Sequence, residues 1–184
     1  STIRAQRFAA DGSELGGEFP VTTLTANSQL DPSIASLTDG GFVVTWSFPG
    51  PDPNGDSYDI YGQRFGGVEP DGTTPRIGSE FLINRTTASL QFKTTVTSLA
   101  DGGFVAMWES SNQDGSGEGL FAQRYGMDAL GDTVAVGTEF QVNSYISGNQ
   151  EDVAAAGLLD GGFVATWMSQ NQDGSNDGIF GQRY

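Results

Sequence analysis

An all-β fold made of three copies of a four-stranded antiparallel unit is what this sequence predicts, and three recurring markers predict it. The string Asp39-Gly40-Gly41-Phe42-Val43-Val44-Thr45-Trp46 returns as Asp101–Trp108 and again as Asp160–Trp167, at spacings of 62 and 59 residues. A Gln-Arg-aromatic triplet occurs at Gln6-Arg7-Phe8, Gln63-Arg64-Phe65, Gln123-Arg124-Tyr125 and Gln182-Arg183-Tyr184. A Glu-Phe pair stands at Glu18-Phe19, Glu80-Phe81 and Glu139-Phe140. Markers in constant order at a fixed period define a repeat architecture.

Each unit then reads as four strands. The first is the alternating segment Ser33–Leu37, Thr95–Leu99 or Val153–Leu158. Asp-Gly-Gly follows as a hairpin turn, because glycine reaches positive φ without a steric penalty. Phe42–Ser47 and its equivalents form the second strand, rich in β-branched residues and ending at a Trp. After a polar loop comes the third strand, at Ile60–Phe65, Leu120–Tyr125 and Ile179–Tyr184, with a further copy at Ile3–Phe8. The fourth is Glu80–Asn84 or Glu139–Asn143, and Glu18–Thr22 is its N-terminal counterpart. No segment sustains a period of 3.6, so no helix is expected.

In the second strand Phe42, Val44 and Trp46 alternate with Val43, which makes both faces apolar. A strand buried on both faces belongs to a sheet packed between neighbours. Four-stranded sheets repeated in this way are the blades of a β-propeller. The expectation is half of a six-bladed ring, closed by a homodimer, or a fragment of a longer propeller; the alternative is a three-sheet β-prism. Residues 1–184 form one repeat domain, with units at approximately 28–84, 90–143 and 150–184, the last completed by 1–27. Glu18–Thr22 can complete the last unit, which leaves Ile3–Phe8 in surplus or in competition with Ile179–Tyr184.

Glycine contributes 27 residues, in keeping with many short strands and tight turns. There are 8 Lys and Arg against 23 Asp and Glu, a formal net charge of −15. That field disfavours nucleic acid and anionic membrane surfaces, which both need cationic partners. Cys and His are both absent, so disulfides, thiolate metal sites and histidine general bases are excluded. No apolar run approaches the length of a membrane span. A start at Ser1 reads as processing or excision from something longer.

The Asp-Gly-Gly-Phe-Val-Val-Thr-Trp string, the Gln-Asp-Gly-Ser loop and the Gln-Arg-aromatic strand together resemble the tandem repeats of large secreted bacterial proteins of the haemolysin (RTX-like) calcium-binding and adhesin type. They also resemble propeller repeats of similar length. The resemblance covers nearly the whole chain and implies a secreted, non-catalytic scaffold. The Gly-Gly-x-Gly-x-Asp nonapeptide that binds calcium in RTX β-rolls does not occur here.

Candidate functional residues lie in the loops between second and third strands. Asn112, Asp114, Ser116 and Glu118 place oxygens at alternate positions, and Asn171, Asp173, Ser175 and Asp177 repeat the pattern. Unit one offers Asp52, Asn54 and Asp56. Calcium takes six to eight hard oxygen ligands, which such loops can supply. The same residue types are equally the ordinary chemistry of turns. Trp46, Trp108 and Trp167 are either packing between sheets or platforms for sugar rings. Arg64, Arg124 and Arg183 are expected to pair with the turn aspartates Asp39, Asp101 and Asp160; the alternative is that they line a site for a carboxylate.

These readings give a non-catalytic structural or adhesive module, stabilised by calcium, of a secreted bacterial protein. The alternatives are a multivalent glycan-binding propeller and a bare self-associating scaffold without a ligand of its own. A catalytic centre would break the repeat symmetry, and the acidic residues of the markers keep it; no enzyme motif is present.

Overall fold

The computed structural model describes residues 2–24, 27–49 and 57–184, and the described residues form thirteen strands and no helix. Two strands come first, β1 (Arg4–Phe8) and β2 (Glu14–Pro20). The first unit holds β3 (Leu30–Ser36), β4 (Phe42–Pro49), β5 (Tyr58–Phe65) and β6 (Arg76–Leu82). The second holds β7 (Gln91–Ser98), β8 (Phe104–Ser111), β9 (Glu118–Met127) and β10 (Thr133–Gln141). The third holds β11 (Gln150–Gly157), β12 (Phe163–Gln170) and β13 (Asp177–Arg183). All pairing is antiparallel between sequence neighbours, in sheets β1-β2, β3-β4-β5-β6, β7-β8-β9-β10 and β11-β12-β13. β2 therefore pairs with β1, and β13 carries no fourth strand, so the N-terminal segment does not complete the last unit.

The Asp-Gly-Gly turn is built identically three times. The first glycine takes positive φ, 84° at Gly40, 89° at Gly102 and 90° at Gly161. The aspartate Oδ1 accepts the second glycine's N–H, at 2.9 Å in Asp39–Gly41 and 3.0 Å in Asp101–Gly103. That second glycine lies directly against the backbone carbonyl at the end of the third strand, Phe65 for Gly41 and Tyr125 for Gly103. A methyl group has no room there, so Gly103→Ala should cost about 1–3 kcal/mol of stability through a forced backbone shift. Denaturant unfolding measures it; an unchanged midpoint would show that the turn yields freely.

Two bulges explain why the strands begin earlier than simple alternation suggests. In the first strand of each unit the register slips between Leu30 and Ser33, Phe92 and Thr95, and Glu151 and Ala154. The residue at the slip is left-handed each time: Asp31 (φ 50°), Lys93 (φ 48°) and Asp152 (φ 56°). The second bulge lies between third and fourth strands, and the marker glutamine fills it. Gln63 Nε2 donates to the carbonyls of Arg64 (2.8 Å) and Ile77 (3.1 Å). Gln123 Nε2 does the same to Arg124 (2.9 Å) and Val136 (3.3 Å).

The sheets stack in series, each interface with its own core. Ile3 and Val21 meet Phe42, Val44 and Trp46. Val43, Ile60 and Ile83 meet Phe104, Ala106 and Trp108. Val105, Met107, Leu120 and Val142 meet Phe163, Ala165 and Trp167. Three separate interfaces between consecutive sheets differ from a prism, whose sheets would share one core. The aromatic of each Gln-Arg-aromatic strand stacks on the Phe of its own second strand: Phe65 on Phe42 (5.0 Å), Tyr125 on Phe104 (5.1 Å), Tyr184 on Phe163 (4.8 Å). The marker glutamates Glu80 and Glu139 join neighbouring sheets, Glu80 by accepting the Thr23 N–H just beyond β2. Glu139 on β10 accepts Arg85 N–H at 2.6 Å and Thr86 Oγ1–H at 3.1 Å, both just beyond β6.

Candidate functional site at the inner edge of the sheets

The recurring polar residues are scaffold. Arg64 Nη2 lies 2.5 Å from Asp39 Oδ2 and Arg124 Nη2 lies 2.7 Å from Asp101 Oδ2; Arg183 pairs with Asp160 in the same way. Arg64 Nη1 also donates to the Gly131 carbonyl at 2.8 Å, which ties unit one to unit two. Burial raises the Asp39 carboxyl, but the Gly41 N–H and the Arg64 guanidinium outweigh it and hold it below its ordinary value.

Trp46, Trp108 and Trp167 are all buried between sheets, and Trp108 Nε1 donates to Gln91 Oε1 at 3.0 Å. A sugar-stacking platform at these three positions is thereby corrected: their ring faces are covered by the neighbouring sheet. The loop residues of units two and three follow turn chemistry. Asp114 Oδ1 accepts Ser116 N–H at 3.1 Å, and its Oδ2 accepts Gln141 Nε2–H at 3.2 Å. Ser116 Oγ accepts Gly148 N–H, and Glu118 N–H reaches Asn149 Oδ1. Asp173 Oδ1 accepts Ser175 N–H at 3.1 Å, while Asn112 and Asn171 adopt positive φ at 59° and 58°. Among the described residues no three acidic side chains converge on a point that could hold a metal ion. Both carboxylate oxygens of Asp114 are thus engaged, one by its own turn and one by Gln141 on β10. Asp52, Asn54 and Asp56 lie outside the described residues.

One cluster does break the repeat. The first strands β3, β7 and β11 converge at the inner edge of the stack, where β7 packs on both others. They line a cleft of about 290 Å3 that presents Asp31, Lys93, Thr94, Glu109 and Asp152. Glu109 follows Trp108; the equivalent positions hold Ser47 and Met168. It is fully buried (0% exposed), and its Oε1 accepts the Asp152 N–H at 2.7 Å. Lys93 Nζ lies 3.3 Å from Glu109 Oε1 and 3.2 Å from Asp152 Oδ1. Glu109 Oε2 has no hydrogen-bond partner in the protein. Burial pushes the Glu109 carboxyl up to about 7, against the opposing pull of the Asp152 N–H and Lys93. The two carboxylates in turn raise Lys93, in spite of its own partial burial.

Sequence reasoning passed over this cluster because it followed the residues that recur. The signal was the difference among copies: Ser, Glu and Met after the three tryptophans, and Asp, Lys and Asp at the first-strand bulge.

The fold and site together define an all-β repeat protein of antiparallel sheets stacked in series, with one asymmetric polar cleft. Among solved structures the chain is similar to the endo-arabinase from Bacteroides thetaiotaomicron VPI-5482, with a TM-score of 0.52 and 15% sequence identity. The likeness covers 96% of this chain and 63% of the length of that one. No family model and no curated protein matches the sequence.

Proposed function

We propose that the chain is a propeller-type repeat scaffold that works by docking one sheet on the next, and that a second copy of the chain continues the stack as a homodimer closing a ring. The observation that carries this reading is the exposed copy of a buried interface. Ile60 and Leu120 are fully buried at 0%, each facing the following sheet, whereas the equivalent Ile179 on β13 is 79% exposed. At the other end Phe8 is 60% exposed, against 1% for its equivalent Phe65. The same residue types that make two established interfaces therefore stand uncovered on the terminal sheets. β13 also has no fourth strand beside it, so its outer edge is free. Exposed strand edges of this kind pair with another chain unless they are covered.

Light scattering coupled to size exclusion tests it. The expected result is a dimer, converted by Ile179→Lys to a monomer with an unchanged circular dichroism spectrum, since Ile179 is solvent-facing in one chain. A monodisperse wild-type monomer overturns the docking. Open-ended oligomers keep the docking and overturn the closed ring.

A scaffold of this type accords with the secreted, adhesive setting that the repeat resembles. Support for a non-catalytic role comes from the marker residues, whose hydrogen bonds all go to turns, bulges and sheet-to-sheet contacts.

A further inference from the structure

We propose that the inner-edge cleft binds a neutral, hydroxyl-rich ligand, of the chemical class of an oligosaccharide, with Glu109, Lys93 and Asp152 holding hydroxyl groups. The inference goes beyond the scaffold role and does not depend on it. Four observations lead to it.

The first is Glu109 itself. A buried carboxyl with one oxygen unpartnered is expensive to keep, because burial without a hydrogen bond costs free energy. The first and third copies of this position need no acid, as Ser47 and Met168 show. An acid retained in only one of three equivalent sites, lining a cleft, points to a ligand donor for its free oxygen.

The second observation is the charge pattern. Lys93 Nζ sits between the Glu109 and Asp152 carboxylates at 3.3 and 3.2 Å, the place a cation would take. An anion would face Asp31, Glu109 and Asp152 together. A neutral hydroxyl meets neither obstacle. Each hydroxyl both donates and accepts, so it is suited to a carboxylate oxygen beside an ammonium.

The third is geometry. Lys93 and Asp152 are held at left-handed bulge residues, which turn them out of the strand alternation and toward the shared inner edge. The strands beneath are locked to one another: Thr94 Oγ1 and Thr45 Oγ1 are 3.1 Å apart, and Val96 N–H donates to Ser33 Oγ at 3.1 Å. The donor and acceptor groups therefore sit on a rigid base.

The fourth is an adjoining apolar cleft, also of about 290 Å3, which meets the first at Asp31. It carries the half-buried rings of Tyr58 and Phe92. Phe92 lies directly opposite Glu109 in the β7–β8 ladder. An aromatic face beside carboxylate and ammonium groups is the pairing that a sugar ring uses, with its C–H face on the ring and its hydroxyls on the polar groups.

Isothermal titration calorimetry of the full chain decides it, with neutral pentose and hexose oligosaccharides (arabinan and glucan fragments among them), a uronic-acid oligosaccharide, tetramethylammonium and calcium as probes. The expected result is one site per chain for a neutral oligosaccharide. Glu109→Gln and Asp152→Asn should each weaken it roughly tenfold or more, the effect of losing a hydrogen bond to a charged group. Tyr58→Ala should weaken it while leaving the polar cluster in place. Melting curves of each variant establish that it is folded. No heat from any neutral oligosaccharide at millimolar concentration overturns the proposal. So does binding that is indifferent to Glu109→Gln, or preference for the cationic or anionic probes.

Discussion

Trp108→Ala should destabilise the protein by about 3–5 kcal/mol, the range for emptying a buried Trp site. Trp108 is fully buried, in the middle of the stack, and packs in the core that also holds Val43, Ile60 and Phe104. Its loss removes the partner of Gln91 Oε1, itself on a fully buried residue, so an unsatisfied acceptor adds to the cavity. Urea unfolding followed by circular dichroism measures the effect. A loss this large is a big fraction of the stability of an ordinary domain. A midpoint close to wild type would mean that Trp108 is peripheral, and the stacked-sheet account of the repeat would fail at its centre.

Stability should fall as pH rises from about 4.5 to about 7 and level off above, because Glu109 holds its proton more tightly in the folded chain. Its carboxyl is pushed from 4.5 up to about 7. The folded state therefore binds more protons than the unfolded state between these values, which favours folding on the acidic side. Each pKa unit corresponds to ~1.4 kcal/mol, so ionising Glu109 in place costs about 3 kcal/mol. Burial is the cause; Lys93 from β7 and the Asp152 N–H from β11 oppose it, and the Glu151 carboxylate adds to it. Asp31 from β3 lines the same cleft. Glu109→Gln should flatten this part of the profile, leaving the variant more stable than wild type above pH 7 and close to it near pH 4.5. Equilibrium unfolding at a series of pH values reads the difference. A variant less stable at pH 8 would show that the Lys93 pair outweighs the burial of the charge.

These expectations separate two kinds of residue that look alike in the sequence. The Asp-Gly-Gly turn, the Gln-Arg-aromatic strand and the Glu-Phe pair were legible because each performs one local task in every unit. Asp39 caps its own turn, Gln63 fills its own bulge, and Glu139 caps the turn after the preceding sheet. Such tasks depend on a few neighbouring residues, so they repeat with the sequence. The strand starts were less legible, because left-handed residues at Asp31, Lys93 and Asp152 interrupt the alternation on which strand reading relies.

The cleft was not legible in the same way. Lys93 and Asp152 are 59 residues apart, and only the convergence of β7 and β11 brings them to one ammonium–carboxylate distance. Glu109 reads as a polar residue at the end of a strand until the neighbouring sheet buries it. The loop oxygens show the reverse: Asn112, Asp114 and Ser116 have the spacing of ligands, yet the fold engages Asp114 and Ser116 in turn and loop hydrogen bonds and turns Asn112 into the left-handed region.

By itself the sequence determined the all-β class, the period, the order of strands in each unit and the pairing of turn aspartates with strand arginines, because all of these follow from local geometry and hydrophobic alternation. Tertiary structure decided which strands share a sheet at the two ends, that the tryptophans are core, and that Glu109 meets Lys93 and Asp152. Those outcomes depend on contacts between distant units, where burial sets the charge state and the exposure of each residue, and no local pattern encodes burial by a neighbouring sheet.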